Sequence, residues 1–128
     1  QSGGGKTTIA SLIPRFWDVN QGSIKVGDVD VRDISTKELM KNISFVFQNT
    51  TLFKDSIYNN VAIGRKGASR DDVKKALSLT QCDDIIDELP DGINTVIGSE
   101  GTYLSGGQQQ RIALARAVLK DAPIIIFY

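Results

Sequence analysis

Hydrophobic residues recur at helical spacing in several parts of the chain. Apolar residues at 9, 12, 13 and 16 predict a helix from about Gly5 to Trp17. Apolar residues at 112, 114, 115, 118 and 119 predict an amphipathic helix over 107–119. Shorter helices are predicted over 36–42, 56–62, 69–79 and 83–89. The segment from Ser69 to Asp72 resembles a capping box with aspartate in place of glutamate.

Other segments have the pattern of strands. Short strands are predicted over 24–26 and 29–31, around Gly27-Asp28, and a β-branched and aromatic strand over 43–47. The unbroken apolar run 124–127 predicts a buried parallel strand, and glycine-rich 95–107 predicts a loop. The order of these elements predicts an α/β domain that carries a helical subdomain.

Composition narrows the class of protein. The 128 residues are 41% apolar, which is enough to build a core, and 15 basic residues balance 15 acidic ones. Without a basic surplus, nucleic acid is not an expected partner. Cys82 is the single cysteine and there is no histidine, so an internal disulfide and a Ser-His or Cys-His catalytic pair are excluded within this sequence. The longest apolar run is far shorter than the roughly 20 residues of a membrane helix. The sequence shows neither a leader nor an initiator methionine, so we expect it to be an excised piece of a longer protein. We expect its compartment to be soluble and reducing.

Gly5-Lys6-Thr7 matches the last part of the phosphate-loop pattern G-x-x-x-x-G-K-[ST], whose first glycine would fall one residue before Gln1. Such a loop presents backbone N–H groups to phosphate oxygens, and glycine permits the close approach. Lys6 would reach the β- and γ-phosphates, and the Thr7 hydroxyl would bind Mg²⁺. The alternative is a glycine-rich tag or linker. The amphipathic helix directly behind the loop favours the phosphate-binding interpretation.

A second candidate site is Leu104-Ser105-Gly106-Gly107-Gln108, directly before the helix over 107–119. The serine and the glycines would form another helix N-terminus with bare amides, an anion site without a lysine. The alternative is an ordinary helix cap with Ser105 as the N-cap.

These motifs together resemble the ATP-binding domain of ABC transporters. The segment 104–108 resembles the family's LSGGQ signature, and Val46-Phe47-Gln48 resembles its Q-loop, in the expected order after a phosphate loop. The resemblance covers essentially the whole chain. It implies a P-loop NTPase three-layer core, incomplete here, with an inserted α-helical subdomain. Residues 1–48 and 116–128 are predicted to form the partial core, and 49–115 the helical subdomain.

The resemblance implies ATP and Mg²⁺ as cofactors and assigns residues to them. The phosphates of one ATP would be bound by Ser2, Gly3, Gly4, Gly5, Lys6, Thr7 and Thr8. Lys6 and Gln48 would be catalytic, and Thr7 and Gln48 would contact Mg²⁺, with Gln48 near the attacking water. Without the flanking motifs, the favoured interpretation of Gln48 would be a solvated residue at the end of a strand.

The resemblance also implies partners. Two ATP-binding domains would face each other head to tail, with one chain's Ser105, Gly106, Gly107 and Gln108 contacting the γ-phosphate of ATP on the other. Transmembrane domains outside this chain would hold the protein at the cytoplasmic face of a membrane. Residues 51–61, 90–92, 95–98 and 113–117 resemble exporters. Residues 98–101 stand where exporters carry a loop that contacts the membrane domain, although Ser99 replaces the usual glutamate and a surface turn is the alternative.

Tyr128 departs from the family pattern, because it follows the apolar strand where the Walker B aspartate is expected. A truncation scar or sequence error, a degenerate site and a one-residue shift all explain it. The catalytic glutamate, switch histidine and adenine-stacking aromatic would lie outside the sequence, so Tyr58, Tyr103 and Trp17 are predicted to be packing residues. We expect the full protein to be an ATPase and the isolated chain to be inactive, and its exposed strand edges make a stable monomer unexpected.

Three functions compete. The first is an ATPase domain that drives export across a membrane. A DNA-repair or translation ATPase of the same family is disfavoured, because the helical insert is short and the net charge is zero. The third is a degenerate half of a heterodimeric ABC protein that binds nucleotide without hydrolysing it, which Tyr128 favours.

Overall fold

The computed structural model describes residues 3–49, 51–98 and 102–127. The helices are α1 (Lys6–Leu12), α2 (Thr36–Lys41), α3 (Ile57–Ala62), α4 (Arg70–Leu79), α5 (Asp83–Asp87) and α6 (Gly106–Lys120). The strands are β1 (Lys25–Val26), β2 (Val29–Asp30), β3 (Ile43–Val46), β4 (Asp55–Ser56), β5 (Val96–Ile97) and β6 (Ile124–Phe127). Short 3₁₀ turns cover Val31–Asp33 and Gly92–Asn94. The chain divides into an N-terminal unit, Gln1–Phe45 with Ala122–Tyr128, and a helical unit, Val46–Asp121.

The N-terminal unit contains a two-residue hairpin and a small sheet. β1 and β2 pair antiparallel through Lys25↔Asp30 and Val26↔Val29. Gly27 and Asp28 connect them with φ of 55° and 63°, the left-handed pair that two-residue hairpins favour. β3 pairs with β6. The buried core of this unit consists of Val31, Leu39, Ile43 and Ile126.

The predicted helix from Gly5 to Trp17 is too long, because α1 ends at Leu12. Pro14 has no N–H to donate to the preceding turn, and Arg15 takes a left-handed φ of 61°. The N–H of Arg15 bonds to the Leu12 carbonyl and that of Phe16 to the Ser11 carbonyl, which is a Schellman ending. Phe16 then stacks on Phe45 with ring centroids 5.7 Å apart.

The helical unit is built around α6, which packs against α3 and α4. Its core joins buried residues of these helices to buried residues of α5, β5 and the connecting segments. These residues are Ile57, Val61, Val73, Ala76, Leu77, Cys82, Ile85, Ile93, Ile97, Leu104, Ile112, Ala115 and Leu119. The predicted capping box of α4 is confirmed, with Ser69 and Asp72 each accepting from the other's backbone N–H. The predicted loop over 95–107 contains β5, which pairs antiparallel with β4.

Within the described ranges, no helix combines the length and hydropathy that a membrane span requires.

Candidate nucleotide-binding site

The glycine-rich loop of the N-terminal unit has the backbone that a phosphate loop needs. Gly3 and Gly5 have φ of 86° and 78°, in the left-handed region that favours glycine. Gly5 is the N-cap of α1. The first helical bond of α1 runs from the Ile9 N–H to the Gly5 carbonyl, at 3.0 Å. The N–H groups of Lys6, Thr7 and Thr8, which lie between Gly5 and Ile9, therefore have no partner inside the helix.

The donors around this loop fit a polyphosphate. Residues 3–9 are all exposed, so an anion can approach the start of α1. Lys6 adds a positive charge at the positive end of the helix, and both favour phosphate. The Thr7 hydroxyl is a hard oxygen ligand of the kind that Mg²⁺ accepts. The Ser11 hydroxyl donates to the Thr7 carbonyl at 2.7 Å, which anchors the first turn to the next. Ser2, predicted as a further phosphate ligand, lies outside the described residues.

Gln48 lies in the helical unit, exposed and two residues beyond the end of β3. The strand before it is anchored by buried residues, including Ile43 at 0% and Val46 at 1% exposure. The predicted strand over 43–47 is thus one residue shorter, since Phe47 lies outside it and is 48% exposed. An exposed amide on a fixed strand end can contact an external group.

The signature residues form the N-terminus of α6, and Ser105 is its N-cap. Ser105 Oγ accepts from the Gln108 N–H at 3.2 Å, and Gln108 Oε1 accepts from the Ser105 N–H at 2.9 Å. This capping box satisfies the N–H groups of Ser105 and Gln108. The N–H groups of Gly106 and Gly107 stand between them without an intrahelical partner. The alternative interpretation, a helix cap with Ser105 as the N-cap, is therefore confirmed, and this cap leaves the two exposed glycine amides without a partner inside the helix.

One buried residue and several hydrogen bonds fix the position of this helix end. Leu104, the residue before the N-cap, is 5% exposed and belongs to the core. Its carbonyl accepts from Gln109 Nε2 at 2.8 Å. Further along the helix, Arg111 donates to the Gln81 carbonyl at 2.7 Å and pairs with Asp84 at 3.2 Å. The exposed amides of the signature are thus held on a rigid support.

The aromatic residues behave differently from one another. Tyr58 packs against the core of the helical unit, and the Arg70 guanidinium lies 5.3 Å from its ring centroid, so the packing prediction for Tyr58 is confirmed. The packing prediction is wrong for Tyr103 and Trp17, which are 91% and 73% exposed. Tyr103 lines a cavity of about 450 Å³ beside the signature, together with Leu52, Ile97, Gly98, Thr102, Leu104 and Gln109. Trp17 stands at the end of the periodic segment that predicted too long a helix, and no periodicity surrounds Tyr103 to indicate its exposure.

Other predicted features lie outside the described residues. Ser99, Glu100 and Gly101 of the segment predicted to contact a membrane domain fall there, as does Tyr128.

Residues 1–127 match the family described as ABC transporter. The chain belongs to the ABC transporter family. An ATP-dependent lipid A-core flippase of Legionella pneumophila (strain Paris) is 53% identical over 125 residues, which are 98% of this chain and 21% of that protein. The protein of the same name from Desulfotalea psychrophila (strain LSv54 / DSM 12343) is 47% identical over 98% of this chain and 22% of its own. The chain thus spans about a fifth of the length of these relatives.

A solved structure of a bacterial Atm1-family ABC exporter with ATP bound superposes with a TM-score of 0.91. It is 41% identical and covers 99% of this chain and 22% of its own. The predicted family and α/β P-loop fold class are confirmed by these matches. The family match includes the loop at 3–8, which argues against the tag or linker interpretation, and it implies that this ABC transporter domain binds ATP.

Proposed function

We propose that this ABC transporter chain works as the ATP-binding domain of an exporter, and that its protein couples ATP binding and hydrolysis to export across a membrane. The observation that carries the proposal is a pair of exposed helix N-termini whose first amides have no intrahelical partner, one of them beginning at Lys6. The names of the relatives, a flippase and an exporter, support the direction of transport.

In this proposal the chain carries two half-sites. In the first half-site, the phosphates of one ATP are bound by Ser2, Gly3, Gly4, Gly5, Lys6, Thr7 and Thr8. Thr7 and Gln48 contact Mg²⁺, and Lys6 and Gln48 act on the γ-phosphate and the attacking water. The left-handed glycines and the open first turn of α1 support this assignment. Residues 1–48 with 116–128 would be the ATP-binding core, and 49–115 the helical subdomain.

The second half-site consists of Ser105, Gly106, Gly107 and Gln108. Its support is that the capping box engages the outer two residues and leaves the amides of the glycines exposed. Because no lysine accompanies them, these amides suit a phosphate that another chain already holds. The proposed partner is therefore a second ATP-binding domain, arranged head to tail, and transmembrane domains hold both at the cytoplasmic face of the membrane.

The alternative of a degenerate, non-hydrolysing half depends on Tyr128. That residue lies outside the described part of the chain, and the comparisons name an ATP-dependent flippase and an exporter. We therefore keep the exporter ATPase as the proposal.

The proposal is tested in a chimera in which residues 1–127 replace the matching segment of the Legionella pneumophila flippase. We expect Mg²⁺-dependent ATPase activity in lipid nanodiscs. Lys6→Ala should lower kcat at least about 100-fold, because a preorganised positive charge at the transferring phosphoryl group is lost. The matched control is Lys25→Ala, which removes an exposed lysine from β1. A chimera whose activity does not exceed that of its Lys6→Ala variant contradicts the proposal.

A further inference from the structure

Asn60, on α3, is a buried side chain that holds a neighbouring segment by its backbone. It is 1% exposed, and its Oδ1 accepts from the Phe53 N–H at 2.8 Å. Its Nδ2 lies 3.0 Å from the Phe53 carbonyl, 3.0 Å from the Ser56 carbonyl and 3.3 Å from the Asp55 carbonyl. A buried amide with both its donor and acceptor satisfied fixes geometry strongly, since any displacement leaves a polar group unpaired. One side chain thus fastens residues 53–56 to α3.

Arg116, on α6, completes this arrangement from the other side. Its Nε donates to the Asn60 carbonyl at 2.8 Å, and one Nη lies 3.4 Å from Asn60 Oδ1. Its guanidinium lies 5.5 Å from the centroid of the Phe53 ring. Burial lowers the pKa of Arg116, and no carboxylate among the described residues pairs with it. The carbonyl and the aromatic face are therefore what offset its desolvation.

The backbone just beyond α3 also comes close to the backbone of α6 at Arg116. A Cβ added to Gly64, two residues beyond α3, would collide with the Arg116 carbonyl oxygen. Asn60, Phe53 and Gly64 thus converge on one arginine. That arginine lies on the same continuous helix whose N-terminus carries the signature residues. The segment that it fastens begins five residues after Gln48.

We propose that Asn60 and Arg116 are positioning residues that lock segment 53–56 to α6, so that this segment and the signature N-terminus move as one body. The inference rests on the proposed function, because it gives the motion of α6 a role in hydrolysis. An α-helix transmits a displacement along its axis, and Arg116 lies about 15 Å from Gly106 at 1.5 Å per residue. The planar fork of arginine suits this position, because it donates to Asn60 and stacks on Phe53 at once. Phe53 is 56% exposed, so a group outside the helical unit can contact the ring that Arg116 packs against.

The first test measures kcat and KM for ATP in the flippase chimera. Arg116→Met should lower kcat about fivefold or more, the scale of a typical coupling, with KM changed less than about twofold. KM should hold because the phosphate loop itself is untouched. Phe53→Leu, a milder change at an exposed position, should lower kcat in the same direction, and the double variant should be no worse than Arg116→Met. The control is Val73→Ala, which trims the same core at a residue of 0% exposure without touching the lock.

The second test measures hydrogen exchange in the same flippase chimera, and its readout does not depend on ATPase activity. Arg116→Met should speed exchange of the Phe53 N–H, bonded to Asn60, and of the Gln109 N–H, the first helical bond of α6, by more than the rest of the helical unit. Val73→Ala should speed exchange across the unit without singling out these two amides. If the unsubstituted chimera has no ATPase activity, that result contradicts only the proposed function. Unchanged kcat in an active chimera, or exchange in Arg116→Met that matches Val73→Ala, would overturn the lock.

Discussion

The glycines at the two helix N-termini are there for different reasons. Gly3 and Gly5 adopt left-handed φ values that other residues take only with strain. Gly106 and Gly107 are not among the positive-φ glycines, and a Cβ on either meets nothing within 4 Å. The described part of the chain therefore gives no internal reason for glycine at 106 and 107. In the proposed function, close approach by the phosphate of an ATP on the partner domain would supply one.

This difference predicts the effect of Gly107→Leu. The substitution should preserve the fold, and it should stabilise α6 by up to about 1 kcal/mol because leucine is the better helix former. ATPase activity of the chimera should nevertheless fall about 100-fold, because the side chain blocks the amides from the phosphate. The measurements are thermal unfolding and kcat, with Gln110→Leu at an exposed position of the same helix as the control. Retention of more than half the activity by Gly107→Leu would mean that these amides do not bind phosphate.

Single residues also show where sequence reasoning works and where it fails. Ser69, Asp72 and Ser105 were predictable as caps, because a capping residue acts through hydrogen bonds to amides within three positions along the chain. The exposure of Tyr103 was not predictable, because it depends on how a loop is held by distant residues. The lock between Asn60 and Arg116 was missed for the same reason, since 56 positions separate the two residues.

At the scale of elements, the capping box of α4 makes the stability of this helix depend on pH. The Ser69 backbone N–H donates to the Asp72 carboxylate at 3.0 Å, and this bond, with smaller contributions from the Ser69 hydroxyl and Arg65, lowers the pKa of Asp72. The unfolded chain therefore binds the proton more readily than the folded one. The stabilisation contributed by the Asp72 carboxylate is complete above the pKa of this group in the unfolded chain, near 4. It is lost as the pH falls through the lower pKa of the folded chain.

We therefore expect Asp72→Asn to lower the melting temperature at pH 7 and to leave a smaller difference from the unsubstituted chain as the pH falls below about 4. Circular dichroism melts across this range measure the effect. Asp71→Asn is the matched control, because it removes the same charge from the same helical turn and the Ser69 N–H bond goes to Asp72. A difference between Asp72→Asn and the unsubstituted chain that stays constant down to pH 2 would contradict the assignment.

Element boundaries were predictable where caps accompany periodicity. The predicted helix over 69–79 and α4 differ by one residue, because Ser69 marks the start and the apolar face continues to the end. α1 shows the opposite case. The apolar positions 13 and 16 continue its periodicity, yet Phe16 serves the Schellman ending and the stack on Phe45. β5 has only two residues, and an alternating pattern cannot be recognised in so short a strand.

At the scale of the whole molecule, the two units have separate hydrophobic cores. In the N-terminal unit, Leu39 of α2 is 1% exposed and packs with Ile43 and Ile126. In the helical unit, Leu77 of α4 is 1% exposed and belongs to the larger cluster around α6. The two clusters share no residue. The α/β class was predictable from the order of the elements, whereas this division of buried residues required the structure.

Separate cores predict separate responses to core truncation. Leu39→Ala and Leu77→Ala remove the same atoms, and each should cost about 2–5 kcal/mol in the unit that contains it. Hydrogen exchange followed by mass spectrometry should show Leu39→Ala speeding exchange in α2 and β3 while α4 and α6 keep their protection, and Leu77→Ala doing the reverse. The two variants are each other's control, because the chemical change is identical. If Leu39→Ala sped exchange in α6 as strongly as in α2, the two cores would unfold as one cooperative body. A substitution in the unit that carries Lys6 would then affect the signature residues only by lowering the stability of the whole chain.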